Sequence, residues 1–144
     1  MIKIISRNNI SEFPTVVPAL QRAFFKTELG VFWDFDSLFN LVINQEAFVF
    51  YQPETGYAGV FQFTYCPKGR ILNFFWSGKD PESDVPVDYI EIDAFLVEVA
   101  KDQDCFVIQC DGRRGWKSVL TPLGYTEDSV NFIKEVTKDE LPSV

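Results

Sequence analysis

A chain of 144 residues is the right size for one domain with its own core. Hydrophobic residues make up 47% of it and aromatics 16%, too apolar for a disordered chain, while no run is long enough to span a bilayer. A formal net charge of -8 opposes non-specific binding to nucleic acid. The absence of histidine removes Ser-His-Asp and Cys-His catalysis and the commonest transition-metal ligand.

Ile2, Ile4 and Ile5 predict a short N-terminal strand; the run is too short for a secretory signal, and Arg7 follows at once. Asn8 to Ser11 reads as a polar turn. An apolar-periodic stretch then predicts a helix to about Leu29, with Val17, Leu20, Phe24 and Phe25 on one face and Gly30 as its stop. Pro14 and Pro18 move its start to Thr15–Val17. A second helix follows, capped by Asp34 or Asp36, with Leu38, Phe39, Leu41, Val42 and Ile43 as its apolar surface.

The period then changes to two. Residues 47–51, 57–66 and 70–77 predict an antiparallel meander, turned at Pro53-Glu54-Thr55-Gly56 and at Pro67-Lys68-Gly69. Residues 78–86 are a polar loop. Val87 to about Lys101 predicts a helix that buries Ile90, Ala94, Phe95, Val97 and Val99. Cys105 to Cys110 is a nearly continuous apolar run, the pattern of a strand covered on both faces, and a right-handed crossover makes it parallel to its partner. Arg113 to Leu123 is a short helix interrupted at Pro122 and closed by Gly124. Tyr125 opens a final hairpin whose second strand is Val130–Val136, and 137–144 is a polar tail. The fold class is mixed α/β (α+β), in the order β-α-α-β-β-β-α-β-α-β-β, as one domain over 1–144.

Cys66, Cys105 and Cys110 are odd in number and lack CxxC spacing. That favours reduced thiols, core packing and the cytoplasm of the producing cell, and it provides no metal site.

The element order, with Phe106-Val107-Ile108-Gln109-Cys110, Arg113-Arg114-Gly115-Trp116-Lys117-Ser118-Val119-Leu120 and Leu123-Gly124-Tyr125, resembles the GNAT (Gcn5-related N-acetyltransferase) fold over nearly the whole chain. The Arg-Arg-Gly-Trp segment with its Gly-aromatic turn also resembles GNAT-like proteins encoded by tailed phages, some of them internal virion proteins. The GNAT resemblance implies three chemical features to look for. A basic, Gly-containing loop should hold pyrophosphate at a helix start, but Gly78-Lys79-Asp80-Pro81-Glu82-Ser83-Asp84-Val85-Pro86 carries three carboxylates against one Lys. This reads as a solvated loop with a helix cap. A Tyr general acid should stand where this chain has Leu120, and Tyr125 reads as packing. A carboxylate base is offered only by Glu91 or Asp93, on a helix face that solvent would ordinarily cover.

The expectation is therefore a GNAT-fold protein with no catalytic residue, no metal and no cofactor, working through a protein partner or self-association, in a phage particle. The alternative is a divergent acyl-CoA-dependent N-acyltransferase. Acetyl-CoA would then lie along the backbone of Phe74, Phe75, Trp76 and Ser77, between strands splaying after Phe75 and Phe106. The aromatic load of 15 Phe, 3 Trp and 5 Tyr exceeds what a small core hides, which makes Phe32, Trp33 and Phe35 a candidate docking region. Arg113, Arg114 and Lys117 form a basic patch for phosphates or a partner's carboxylates, or a solvated face paired with Asp111. Trp116 among them is a core or interface anchor.

Overall fold

The computed structural model describes residues 1–26, 28–112 and 114–136. Its elements are β1 (Lys3–Ile5), α1 (Val17–Lys26), α2 (Phe35–Ile43), β2 (Phe48–Gln52), β3 (Tyr57–Cys66), β4 (Gly69–Lys79), α3 (Tyr89–Asp102), β5 (Cys105–Cys110) and α4 (Lys117–Leu120). Short 3-10 turns precede α1 (Arg7–Thr15), separate α1 from α2 (Glu28–Val31) and flank α4. The sheet order is β1-β2-β3-β4-β5; all pairs are antiparallel except β4–β5, which is parallel.

Strand alternation sorts the side chains onto two faces. Val49, Tyr51, Val60 and Trp76 meet Leu20 and Ala23 of α1 and Leu38 and Val42 of α2. Phe50, Phe61, Leu72 and Phe74 meet Ile92, Leu96 and Ala100 of α3. On the first face, the Trp76 indole N–H donates to the Leu20 carbonyl at 2.9 Å, so its buried polar atom is satisfied. Gly78 lets α1 touch β4: a Cβ there would lie 2.2 Å from the Ala19 carbonyl oxygen.

The expected order holds through α4, and the caps are those the residues suggest. Asp34 accepts from the Ser37 amide at the start of α2, and Gly124 takes the left-handed conformation (φ 94°) after α4. Four expectations are corrected. Gly30 does not stop α1, which ends at Lys26, and Phe25 turns outward at 76% exposed. The buried stripe of α3 is Ile92, Leu96 and Ala100, at i, i+4 and i+8, while Ala94 and Ile90 face out, Ile90 at 73% exposed. Among the described residues β5 pairs only with β4 and ends the sheet, and it is not covered on both faces: Phe106 and Val107 are exposed. Residues 125–136 pair with no described strand, so the final hairpin is not formed there. The expected polar tail, 137–144, lies outside the described residues.

Candidate functional site

β4 carries a bulge. Its register with β3 steps from Phe61↔Phe74 to Val60↔Trp76, leaving Phe75 as the extra residue. A bulge bends and over-twists its strand. The β4–β5 ladder ends at the same place, with Phe74↔Cys110 as the last pair and the Asp111 amide donating to the Phe74 carbonyl at 2.9 Å. Beyond it β4 runs on to Lys79 paired with β3 and no longer with β5, so a cleft opens between β4 and β5. The splay thus follows Phe74 and Cys110 rather than Phe75 and Phe106. Phe74, Phe75, Trp76 and Ser77 do line or adjoin the divergence; Phe74 and Trp76 are buried, and Phe75 stacks on Trp33 with ring centroids 4.9 Å apart.

Side chains fill this cleft. The Trp116 indole meets Tyr89 edge-on at 5.6 Å and Tyr57 at 6.5 Å. Gly112 makes room for it, since a Cβ there would stand 2.7 Å from the indole. Among the described residues the cleft keeps small cavities of about 20 Å³, one against Tyr57, Tyr89, Asp93 and Tyr125 and one against Ser77, Asp111 and Leu120. Each has room for about one water.

The two phenols and the thiol that converge here are held protonated. The Tyr125 hydroxyl donates to Asp93 Oδ1 at 2.8 Å; burial, with that carboxylate, pushes its ionisation well above the usual phenol range. Burial does the same to Tyr57, whose hydroxyl has no hydrogen-bond partner of good geometry; the neighbouring Ser77 hydroxyl offsets part of the shift. Burial raises Cys110 to about 11 and also raises Asp111. A general base works best with a pKa near the operating pH, and the two phenols and the thiol have moved away from it. Leu120 stands in the wall with no proton to give.

The first turn of α3 sits beside the cleft, and its anion-binding end is occupied by the protein's own carboxylates. Asp88 caps the helix by accepting from the Glu91 amide at 3.1 Å. Buried Gln52 ties that turn to β2: its Nε2 donates to the Asp88 carbonyl and to Glu91 Oε1, and its Oε1 accepts from the Asp88 amide. The Met1 ammonium bridges Glu91 and Glu54 at 3.0 and 2.8 Å. The acidic loop folds back over the β2–β3 turn, where the Ser83 hydroxyl donates to the Thr55 carbonyl and the Asp80 amide to Gly56. Asp80, Glu82 and Asp84 remain solvated or partly so, and the helix cap is Asp88, outside that cluster.

The predicted docking residues separate. Phe32 is 65% exposed, whereas Trp33 and Phe35 are half-buried, Phe35 packing on Trp76 at 5.3 Å. Arg113 lies outside the described residues, as does the Arg114 side chain. Trp116 faces inward to the cleft. Sequence reasoning missed Tyr57, Tyr89 and Cys110. They carry no spacing signal and meet only because the β4–α3–β5 crossover brings three distant segments together. Asp93 was half-visible as a helix carboxylate able to face the cleft.

No known protein-family profile matches the chain, and no curated protein matches it in sequence. Solved structures do match in shape. An aminoglycoside acetyltransferase from an uncultured soil metagenomic sample, solved with sisomicin, superposes with a TM-score of 0.70 at 11% identity, over 95% of this chain and 96% of that one. A predicted acetyltransferase of Clostridium acetobutylicum, solved with acetyl-CoA, gives 0.66 at 15% identity, over 94% and 95%. A ribosomal-protein-alanine N-acetyltransferase of Brucella melitensis biovar Abortus 2308 gives 0.66 at 11%, over 94% and 98%. At these identities the likeness establishes the fold, which is the GNAT fold, a mixed sheet with helices on both faces.

Proposed function

We propose that this chain is a noncatalytic GNAT-fold protein that acts through protein–protein contacts, as a component of a tailed-phage particle. The observation that carries the noncatalytic reading is the filled cleft. Ligand pockets occupy roughly 300–1,000 Å³, against about 20 Å³ left on either side of Trp116. The same reading is supported at α3, where a pyrophosphate would have to displace Asp88 and face Glu91 and Glu54. The phage setting rests on the resemblance of the Arg113–Tyr125 segment, and the contact role on exposed Phe25 and Phe32.

Titration of the full chain with acetyl-CoA in a calorimeter tests this. No heat of binding up to millimolar ligand is the expected result. A Kd tighter than about 100 µM, which at 1 mM ligand would stabilise the fold by about 1.4 kcal/mol, would overturn it. One observation favours a divergent N-acyltransferase as second reading. The Tyr125 phenol is protonated, anchored on Asp93 and directed at a cavity of a fold that acetyltransferases share. Such a phenol is suited to protonating a leaving thiolate.

A further inference from the structure

One row of the sheet is built of amides. The register pairs Gln62 with Asn73 and Asn73 with Gln109, so the three stand side by side across β3, β4 and β5. Their strand neighbours Phe61, Leu72, Phe74 and Ile108 pack toward α3. Alternation therefore turns the amide row to the opposite face, the one that carries Trp33 and Phe75. The Trp116 cleft lies on the α3 side, so the two are distinct. The next row, Thr64, Ile71 and Val107, continues the surface. Thr64, Val107 and Gln109 are exposed; Gln62, Ile71 and Asn73 are half-buried. Neither row holds a charge, although the chain has 21 acids and 13 bases.

Asn73 is the residue that needs an explanation. Asn is disfavoured in strands, and its Oδ1 is buried with no hydrogen-bond partner among the described residues. An orphaned buried acceptor weakens the fold, and native structures keep few of them. Beside it, Gln62 Nε2 donates to the Glu46 carbonyl at 3.1 Å, which leaves the Gln62 Oε1 as an acceptor. The row thus offers amide donors and acceptors at the strand spacing of about 4.8 Å, without formal charge.

We infer that this face binds a neutral sugar of one or two rings. Neighbouring sugar hydroxyls each donate and accept at once, as a row of amides does. The Gln109 side chain is exposed; its turning aside opens Asn73 Oδ1 to a hydroxyl. Phe75, two residues along β4 from Asn73, stacks on Trp33 with centroids 4.9 Å apart and gives an apolar border for the C–H face of a ring. Charge complementarity selects this occupant. An anionic ligand would find no cation in either row, and a cationic one no carboxylate. The inference does not depend on whether the cleft on the other face binds acyl-CoA.

NMR titration of the full ¹⁵N-labelled chain with maltose, cellobiose and lactose tests it, with glucuronate as the charged control. At least one of the neutral sugars should shift the amides of residues 62–64, 71–75 and 107–109, saturating with a Kd of roughly 1–10 mM. Asn73→Val removes the orphaned oxygen and suits a strand. It should raise the thermal midpoint by about 3 °C or more and weaken sugar binding by about tenfold or more. Gln109→Ala, at an exposed position, should weaken binding several-fold and leave the midpoint unchanged. The inference is overturned if no neutral sugar gives saturable shifts up to about 50 mM. Binding that survives Asn73→Val unchanged, shifts confined to the α3 face, or a response to glucuronate alone would each overturn it too.

Discussion

Replacing Trp116 by alanine removes the side chain that seals the β4–β5 cleft. The indole makes two edge-on contacts, with Tyr89 and Tyr57. Such pairs contribute about 0.5–1.5 kcal/mol each beyond area burial. The ring is half-buried, so roughly 100 Å² of apolar surface returns to water, about 2.5 kcal/mol at 25 cal/mol per Å². Water can enter the opened cleft, so little void energy is added, and the total falls near 3.5–5.5 kcal/mol. For a chain of this size that lowers the thermal midpoint by about 10–15 °C. Urea denaturation followed by circular dichroism measures the free energy, and an unchanged m-value shows that the fold persists. A loss below about 1 kcal/mol would mean that Trp116 does not seal the cleft, and the argument from filling would fail.

Other substitutions probe the scaffold around it. Gly78→Ala drives a methyl into the Ala19 carbonyl, where backbone cannot yield; it should cost about 3 kcal/mol in urea unfolding. Gln52→Leu strands the Asp88 amide and takes the side-chain acceptor from the Thr55 hydroxyl; the expected loss is about 2–4 kcal/mol, with weakened amide-exchange protection in the first turn of α3. Cys110 has a folded pKa raised from 9.0 to about 11, so its stabilisation is complete below pH 9 and is lost as pH rises through 11. About 2–3 kcal/mol should disappear over that window, and in Cys110→Ala the slope of unfolding free energy against pH should flatten there.

The fold was readable where local signals and tertiary packing agree. Asp34 before an apolar run, Gly56 and Gly69 at the hairpin turns, and Gly124 after Pro122 each mark a boundary through a backbone requirement that few residues meet. The misreadings share one cause. Hydrophobic periodicity shows that a residue is apolar and says little about what covers it. Ile90 continues an apolar helix but faces away from the stripe of Tyr89, Ile92, Leu96 and Ala100 that meets the sheet. The β5 run looks doubly buried, and its coverage depends on the reach of α1 and α2, which no residue of β5 encodes. The acidic character of the phosphate-side loop was plain from Asp80, Glu82 and Asp84. That the helix seat itself is taken by Asp88, locked through Gln52, depends on a bond between residues 36 positions apart.

The same energies link stability to function. A bulge at Phe75 and a parallel ladder that ends at Phe74–Cys110 part β4 from β5 in this chain. On the noncatalytic reading proposed above, the backbone keeps the splay and side chains close it, as expected when function is grafted on a shared fold. Any extended ligand must first expel Trp116. If that seal contributes about 4 kcal/mol, the apparent affinity falls by a factor of roughly 900 relative to an open cleft. An enzyme gains nothing from such a plug, because the cost is met in the ground state before any transition-state contact forms. A protein whose work lies on its surface gains a stable core. Trp116→Ala separates these cases. On a concealed acyl-CoA site it would tighten binding while weakening the fold; on a site with Asp88 and Glu91 still facing the phosphates it would weaken the fold alone.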